Sequence, residues 1–321
     1  MDRRIYPKVN IFLKILGRDD AGYHQLSSRF VLAHGALYDE MRLENSTHFS
    51  LSGEFGCEMG DNLIFKAAQI LSGHLESLGG MQRAKAKAVR SLKVEVAKHI
   101  PKGAGLGGGS ANAGVFLRAV NEMLELGLEE GALAELGGRI GSDVAFFASG
   151  VSSANVSGRG ECVEAFDEVL AEGQKARKEA RKEAGRGYEL DSEKSLDVPS
   201  RGAEIEIFTP EIFCDTGAVY REYARGVGSG DFKADSRADF KLDSEPDSEV
   251  GFKKGYSTKP LLWLSQSSRE IVAHSCHTEL NDLYAPAARL CPQLKEIAQE
   301  LGQGWCFSGS GSSFFRFKAR I

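Results

Sequence analysis

The chain has 321 residues, 42% of them hydrophobic, a formal net charge of −5 and a pI near 5.9. That length buries a sizeable core and suits two domains, while the acidic balance excludes an electrostatic grip on nucleic acid or anionic membranes. Apolar runs approaching about 18 residues are missing and residues 1–4 lead straight into a strand pattern, so neither a membrane span nor a signal peptide is expected. Cysteines at 57, 162, 214, 276, 291 and 306 form no Cys-x-x-Cys pair and read as buried thiols of a reducing compartment, which makes the expected location cytoplasmic.

From Ile5 to Ile15 the residues alternate, with Val9, Ile11, Leu13 and Ile15 on one face and Lys8, Asn10 and Phe12 on the other. Period two carries the Lys8 ammonium and the Asn10 amide to the same side. Taken alone, this is a half-exposed edge strand with a solvated lysine. Gly22 turns the chain, and Tyr23-His24 follows. A flat ring beside a hydrogen-bonding edge suits a heterocyclic base, although a tyrosine covering the edge of the core is the plainer alternative.

A strand over Leu92 to Val96 leads into the most informative segment, residues 101–112, which place five glycines within seven positions. Ala113, Phe116, Leu117, Val120 and Leu124 then mark an amphipathic helix, with Ser110 at the expected N-cap. A strand, a side-chain-free loop and a helix start together cradle polyphosphate, because free N–H groups and the helix dipole both favour anions. Gly103-x-Gly105-x-x-Gly108 matches a dinucleotide fingerprint only superficially. The helix is followed by Gly127 and another helical stretch, Glu129 to Ile140, not by a second strand. The Walker pattern fails as well, since no Gly-Lys-Ser/Thr closes the loop. Asp143, between that stretch and the apolar run Val144 to Phe147, belongs at the start of a short helix, where capping is the plain reading.

Two later stretches do not read as core. Residues 171–199 carry a mixed-charge run suited to a solvated helix, and residues 227–257 contain a polar repeat of period eight, from Asp231-Phe232-Lys233 to Asp239-Phe240-Lys241. Both are expected to be disordered surface insertions. His274 and His277 stand at i, i+3 without a third ligand, which favours an ordinary helix surface over a metal site. Ser308-Gly309-Ser310-Gly311 is a glycine turn between two strands.

The loop Pro101-x-x-x-Gly105-Leu106-Gly107-Gly108-Gly109-Ser110 resembles the phosphate loop of the GHMP kinases. Further blocks resemble one branch of that family: Tyr6-Pro7-Lys8-Val9-Asn10-Ile11-Phe12-Leu13, Gly22-Tyr23-His24-x-Leu26, Asp61-Asn62-Leu63-Ile64, Gly141-Ser142-Asp143-Val144, Asn281-Asp282-Leu283 and Phe307-Ser308-Gly309-Ser310-Gly311. They stand in the family's order from residue 6 to residue 315. Ala111 departs from a common second serine and Ala145 from a common proline.

The resemblance implies an α+β, two-domain GHMP kinase fold. Residues 1–158 would form a ribosomal protein S5-like, ATP-binding domain, and residues 159–321 a ferredoxin-like, substrate-side domain interrupted by the two insertions. It implies ATP-dependent phosphorylation of the 2-hydroxyl of a cytidyl-diphosphate-linked polyol in non-mevalonate isoprenoid synthesis. Asp143 would act as base, with Lys8 orienting the hydroxyl. ATP would be held by Pro101, Lys102, Gly103, Ala104, Gly105, Leu106, Gly107, Gly108, Gly109, Ser110 and Ala111, with Asp61 and Asn62 lining its base. The acceptor would meet Asn10, Tyr23, His24 and Tyr220, although Phe213 lies near Tyr220 in a similar context. Ser110 would contact Mg²⁺. The expected partner is this small molecule alone, with no nucleic acid or membrane, in a monomer or weak homodimer. The alternatives are another small-alcohol kinase of the homoserine or mevalonate type, and a non-catalytic nucleotide-binding regulator.

Overall fold

The computed structural model describes residues 1–168, 170–171, 204–229 and 259–318. Apart from residues 171 and 227–229, the stretches 171–199 and 227–257 lie outside the described residues. The chain begins with strands β1 (Asp2–Ile5), β2 (Lys8–Arg18), β3 (His24–Leu32), β4 (Asp39–Asn45) and β5 (Ser50–Gly53). Helices α1 (Leu63–Leu78) and α2 (Gln82–Val89) precede β6 (Leu92–Ala97). Next come α3 (Gly108–Met123), α4 (Glu130–Gly138), α5 (Ser142–Ser149), β7 (Ser153–Gly158), β8 (Cys162–Ala165) and β9 (Ile205–Phe208). The later helices are α6 (Thr216–Ser229), α7 (Lys259–Trp263), α8 (Ser268–His274), α9 (His277–Leu280), α10 (Tyr284–Leu290) and α11 (Gln293–Leu301). Strands β10 (Cys306–Phe307) and β11 (Phe314–Phe317) follow.

The strands form three sheets, ordered β1-β4-β6-β5, β2-β3-β7-β8 and β10-β11-β9. Alternation explains the first: Met41 and Leu43 of β4 and Leu92, Val94 and Val96 of β6 are buried, with Glu40 and Arg42 outside. Those residues share one core with Leu71 and Leu75 of α1 and with Phe116, Leu117 and Val120 of α3. The expected apolar stripe of α3 is therefore the face that packs. Gly114 lets α3 approach α5 closely, since a Cβ there would lie 2.4 Å from Phe147 Cβ.

The opening strand differs from a single alternating run. Tyr6 and Pro7 separate β1 from β2, as proline's missing N–H predicts. A register shift between Asn10 and Phe12 then changes the phase. Phe12 consequently packs with Val9 and Ile11 in one core cluster and not on the side of Lys8 and Asn10. Leu13 and Ile15 join another cluster, with Tyr284, Phe307 and Phe314. Strand β2 thus runs through the seam between the N-terminal layers and the small C-terminal sheet.

Arg29 pins that seam. Its side chain is fully buried, and burial lowers its pKa to about 10 against the opposing charge of Glu168. It donates to Asn155 Oδ1 and to the carbonyls of Trp263, Leu264 and Gln266. The cysteines depart from expectation: Cys214 and Cys306 are buried, but Cys57, Cys162 and Cys276 are exposed and all six are free. Small surface thiols cost little where no core position calls for them. His274 ends α8 and His277 begins α9, so they do not share one helix face. Among the described residues no trio of His, Cys, Asp or Glu is placed to hold a metal, and no helix is long and apolar enough to cross a membrane.

Candidate active site

A cleft of about 1240 Å³ opens where β2, the 101–110 loop, α5 and α6 meet. That exceeds the space one small ligand fills. It is lined by Lys8, Asn10, Tyr23, His24, Asp61, Asn62, Asp143, Tyr220 and every residue from Pro101 to Ser110. Ala111 is the exception among the expected contacts: it is fully buried in the core beneath α3, because it has turned away with the helix.

The loop is held from behind. The carbonyls of Gly103, Ala104, Gly105 and Leu106 accept, in turn, from Cys214 N–H (3.3 Å), Ser313 N–H (3.1 Å), Ser308 Oγ (3.2 Å) and Lys8 N–H (3.1 Å). A trans peptide sets each C=O opposite the next N–H. The N–H groups of Ala104, Gly105, Leu106 and Gly107 therefore face away from these partners. Gly103, Gly105 and Gly107 are all left-handed, with φ of 70°, 72° and 69°, which yields the alternating backbone of an anion nest. At Gly105 a side chain is excluded twice, since a Cβ would also stand 2.2 Å from Ser308 O. Gly107, not Ser110, caps α3; Ser110 lies one turn inside. The sixteen-residue helix aims its unpaired first N–H groups at the same space.

Behind the loop lies a residue that the sequence reading missed. Asp39 is fully buried and its carboxylate accepts from His99 N–H (2.7 Å), Ile100 N–H (2.8 Å), Asn112 Nδ2 (2.8 Å) and the Lys98 ammonium. One side chain thereby ties the entrance of the loop to the first turns of α3. Asn281 does similar work on the far side, donating to the carbonyls of Phe307 (3.1 Å) and Gly309 (2.9 Å) in the glycine turn. Asn281 carries a weak sequence signal, its place in the Asn-Asp-Leu block. Asp39 carries none, because a lone acid at a strand start ordinarily faces water.

Against the loop stands Lys8, with Asp143 beside it. Lys8 is 4% exposed, so although β2 is the edge strand of its sheet this lysine is not solvated. Its ammonium donates to Asn10 Oδ1 at 2.5 Å, lies 4.4 Å from the Phe30 ring centroid and 3.4 Å from Asp143 Oδ2. Asn10 is itself fixed by donating to Ser28 Oγ at 2.9 Å. Asp143 sits in the first turn of α5 after the Gly141 cap, with its side chain 32% exposed. A half-buried ion pair adds little to stability, because desolvation offsets attraction. A buried ammonium aimed at an open carboxylate is better suited to chemistry.

The aromatic residues sit at the other end. His24 lies 5.2 Å from Tyr220 between ring centroids, tilted by 32°, so Tyr220 neighbours His24. Tyr23 instead faces Arg159, 4.0 Å from its ring. Burial and the Arg18 charge hold the His24 imidazole below its usual pKa, hence neutral near pH 7. Burial and the Asp143 carboxylate both push the Tyr220 phenol upward, keeping it protonated. Phe213 does not line the cleft but packs against the loop at Gly103, where a Cβ would meet its ring at 2.5 Å.

Comparison with known proteins accords with this geometry. Residues 62–151 match the GHMP kinases N terminal domain. The chain is 36% identical over 315 residues to the 4-diphosphocytidyl-2-C-methyl-D-erythritol kinase of Helicobacter acinonychis (strain Sheeba), covering 98% of this chain and 95% of that relative. Identity is again 36%, over 320 residues, with the kinase of the same name from Sulfurimonas denitrificans, at 99% and 97% coverage. Among solved structures, a crystal structure of 4-(cytidine 5'-diphospho)-2C-methyl-D-erythritol kinase superposes with a TM-score of 0.59 at 25% identity, covering 99% of this chain and 90% of that one.

Proposed function

Because the chain belongs to the 4-diphosphocytidyl-2-C-methyl-D-erythritol kinase family of the GHMP kinases, we propose that it transfers the γ-phosphate of ATP to the 2-hydroxyl of 4-diphosphocytidyl-2-C-methyl-D-erythritol. The observation that carries this reading is the meeting, in one cleft, of a left-handed glycine loop whose carbonyls are bonded from behind with a Lys8–Asp143 pair 3.4 Å apart.

Phosphoryl transfer passes through a loose, in-line transition state, so the protein's contribution is positioning and charge neutralisation. The N–H groups of residues 104–107 and the start of α3 bind the ATP phosphates. Asp61 and Asn62, at the mouth before α1, border the adenine. The acceptor hydroxyl lies between Asp143 and the γ-phosphate, and Asp143 takes its proton. Lys8, immobilised by Asn10, orients that hydroxyl and offsets charge on the transferring oxygens. Tyr23, His24 and Tyr220 receive the cytosine. Mg²⁺ fits the donor set, since it prefers few protein oxygens beside phosphates and water, and Ser110 lines the cleft on the first turn of α3. When bound, it neutralises phosphate charge. We also place the boundary between the ATP-binding domain and the second domain near residue 158, at the tip of the β7–β8 hairpin.

A coupled ADP-release assay with the cytidyl acceptor tests the reading. Asp143→Ala should lower turnover by roughly three orders of magnitude while ATP still binds. Equal turnover in both proteins removes Asp143 from the mechanism. Cytidine diphosphate should compete with the acceptor, and failure to compete favours a different small-alcohol kinase.

A further inference from the structure

Tyr23 stands on the turn between β2 and β3 with 58% of its surface exposed, which alone would leave its ring free to reorient. It is nevertheless fixed at both ends. Asp19 Oδ1 accepts the Tyr23 N–H at 2.8 Å, while Oδ2 of the same carboxylate accepts from Gln25 Nε2 at 3.2 Å and from Arg159 at 2.9 Å (Nε) and 2.7 Å (Nη2). The Arg159 guanidinium in turn lies 4.0 Å from the Tyr23 ring centroid. One carboxylate therefore holds the tyrosine's backbone and the cation that covers its ring. Desolvation opposes ionisation of Asp19, but the Tyr23 N–H and the guanidinium hold its carboxyl below the usual range.

Arg159 belongs to the β7–β8 turn, and that turn also borders the reacting carboxylate. A Cβ built on Gly160 would lie 3.0 Å from Ser142 Cβ and 3.7 Å from Asp143 Oδ1. Arg159 and Glu161 themselves line the cleft. A single three-residue turn thus touches the aromatic platform on one side and the start of α5 on the other.

We propose that Arg159 is a positioning residue for the acceptor: braced by Asp19 and stacked on Tyr23, it fixes the reach between the base platform and Asp143 and so selects acceptors whose base and hydroxyl match that reach. The inference rests on the reading of Tyr23 as the cytosine platform. The guanidinium occupies one face of the ring by a cation–π contact and leaves the other for a stacked base.

Kinetics of Arg159→Leu, Arg159→Lys and Asp19→Asn, each in the wild-type and Tyr23→Ala backgrounds, test the proposal. Arg159→Leu should raise the acceptor KM about three- to tenfold, with kcat and the ATP KM within about twofold. Arg159→Lys, which keeps a cation over the ring, should recover part of that loss. In the Tyr23→Ala background Arg159→Leu should add nothing further, because the residue it positions is gone. An equal rise in both backgrounds would mean that Arg159 acts on the acceptor directly, and would overturn the proposal. A parallel rise in the ATP KM, or a lowered Tm, would mark a merely structural role and do the same. Unchanged KM with normal wild-type turnover overturns this inference alone. A wild type that neither phosphorylates the cytidyl acceptor nor yields to cytidine diphosphate removes the base reading, and the inference with it.

Discussion

The two ends of the cleft are fixed by different means. On the phosphate side, four consecutive carbonyls are bonded from behind and a fully buried Asp39 ties strand to helix. The groups that this end offers a ligand are main-chain N–H groups, and their rigidity comes from the interior. On the proposed acceptor side, the groups on offer are side chains: Tyr23 on an exposed turn, held by Arg159 and the half-buried Asp19, with His24 on β3 and Tyr220 on α6. Backbone recognition suits a ligand common to many enzymes; side-chain recognition on turns can be altered one residue at a time.

Substitutions on the two sides should therefore fail in different ways. Of the changes that separate the two ends, Gly105→Ala is expected to have the largest effect. It places a Cβ 2.2 Å from Ser308 O at a φ of 72°, so the loop must abandon its bonded conformation. The ATP KM should rise by about two orders of magnitude with the acceptor KM little changed; near-normal ATP kinetics would break the contrast. Asp39→Ala should come next, lowering unfolding free energy by about 3–5 kcal/mol in denaturant titrations, because it leaves the Lys98 ammonium, the buried Ile100 N–H and the partly buried His99 N–H without their carboxylate. A loss below about 1 kcal/mol would show that the loop does not depend on it.

The smallest effect should come from pH. Burial and Arg18 depress the His24 pKa below 6.5, so the folded protein binds its proton less readily than the unfolded chain. The stability this contributes is present above 6.5 and is lost as pH falls through the lower, folded value. The acceptor KM should rise over the same range while the ATP KM stays flat, and His24→Gln should abolish the trend. A matching rise in the ATP KM would erase the distinction between the two ends.

The same division decides what could be read beforehand. The glycine spacing of residues 103–109 announces an anion cradle because only a backbone site needs such a run, and the stripe from Ala113 to Val120 is the buried face of α3. Hydroxyl preference points to Ser110 as the cap and hides the fact that Gly107 can end the loop left-handed. The phase of Phe12 was lost because a bulge leaves no mark on alternation. Asp39 and Arg159 were illegible for a simpler reason: their partners are brought near by tertiary structure, 73 residues away for Asn112 and 140 for Asp19. Lys8 and Asp143 were legible only through family resemblance, since neither spacing nor composition places an ammonium beside a carboxylate so far along the chain.

The bracing of the loop by Ser308 and Ser313 also bears on the order of assembly. The glycines of the proposed phosphate loop leave the ribosome early, yet the atoms that turn their carbonyls inward are translated some two hundred residues later. A growing chain would thus carry the recognition sequence long before it could grip a nucleotide. Affinity for ATP would appear only with the closing strands, and can serve as a readout of completed folding.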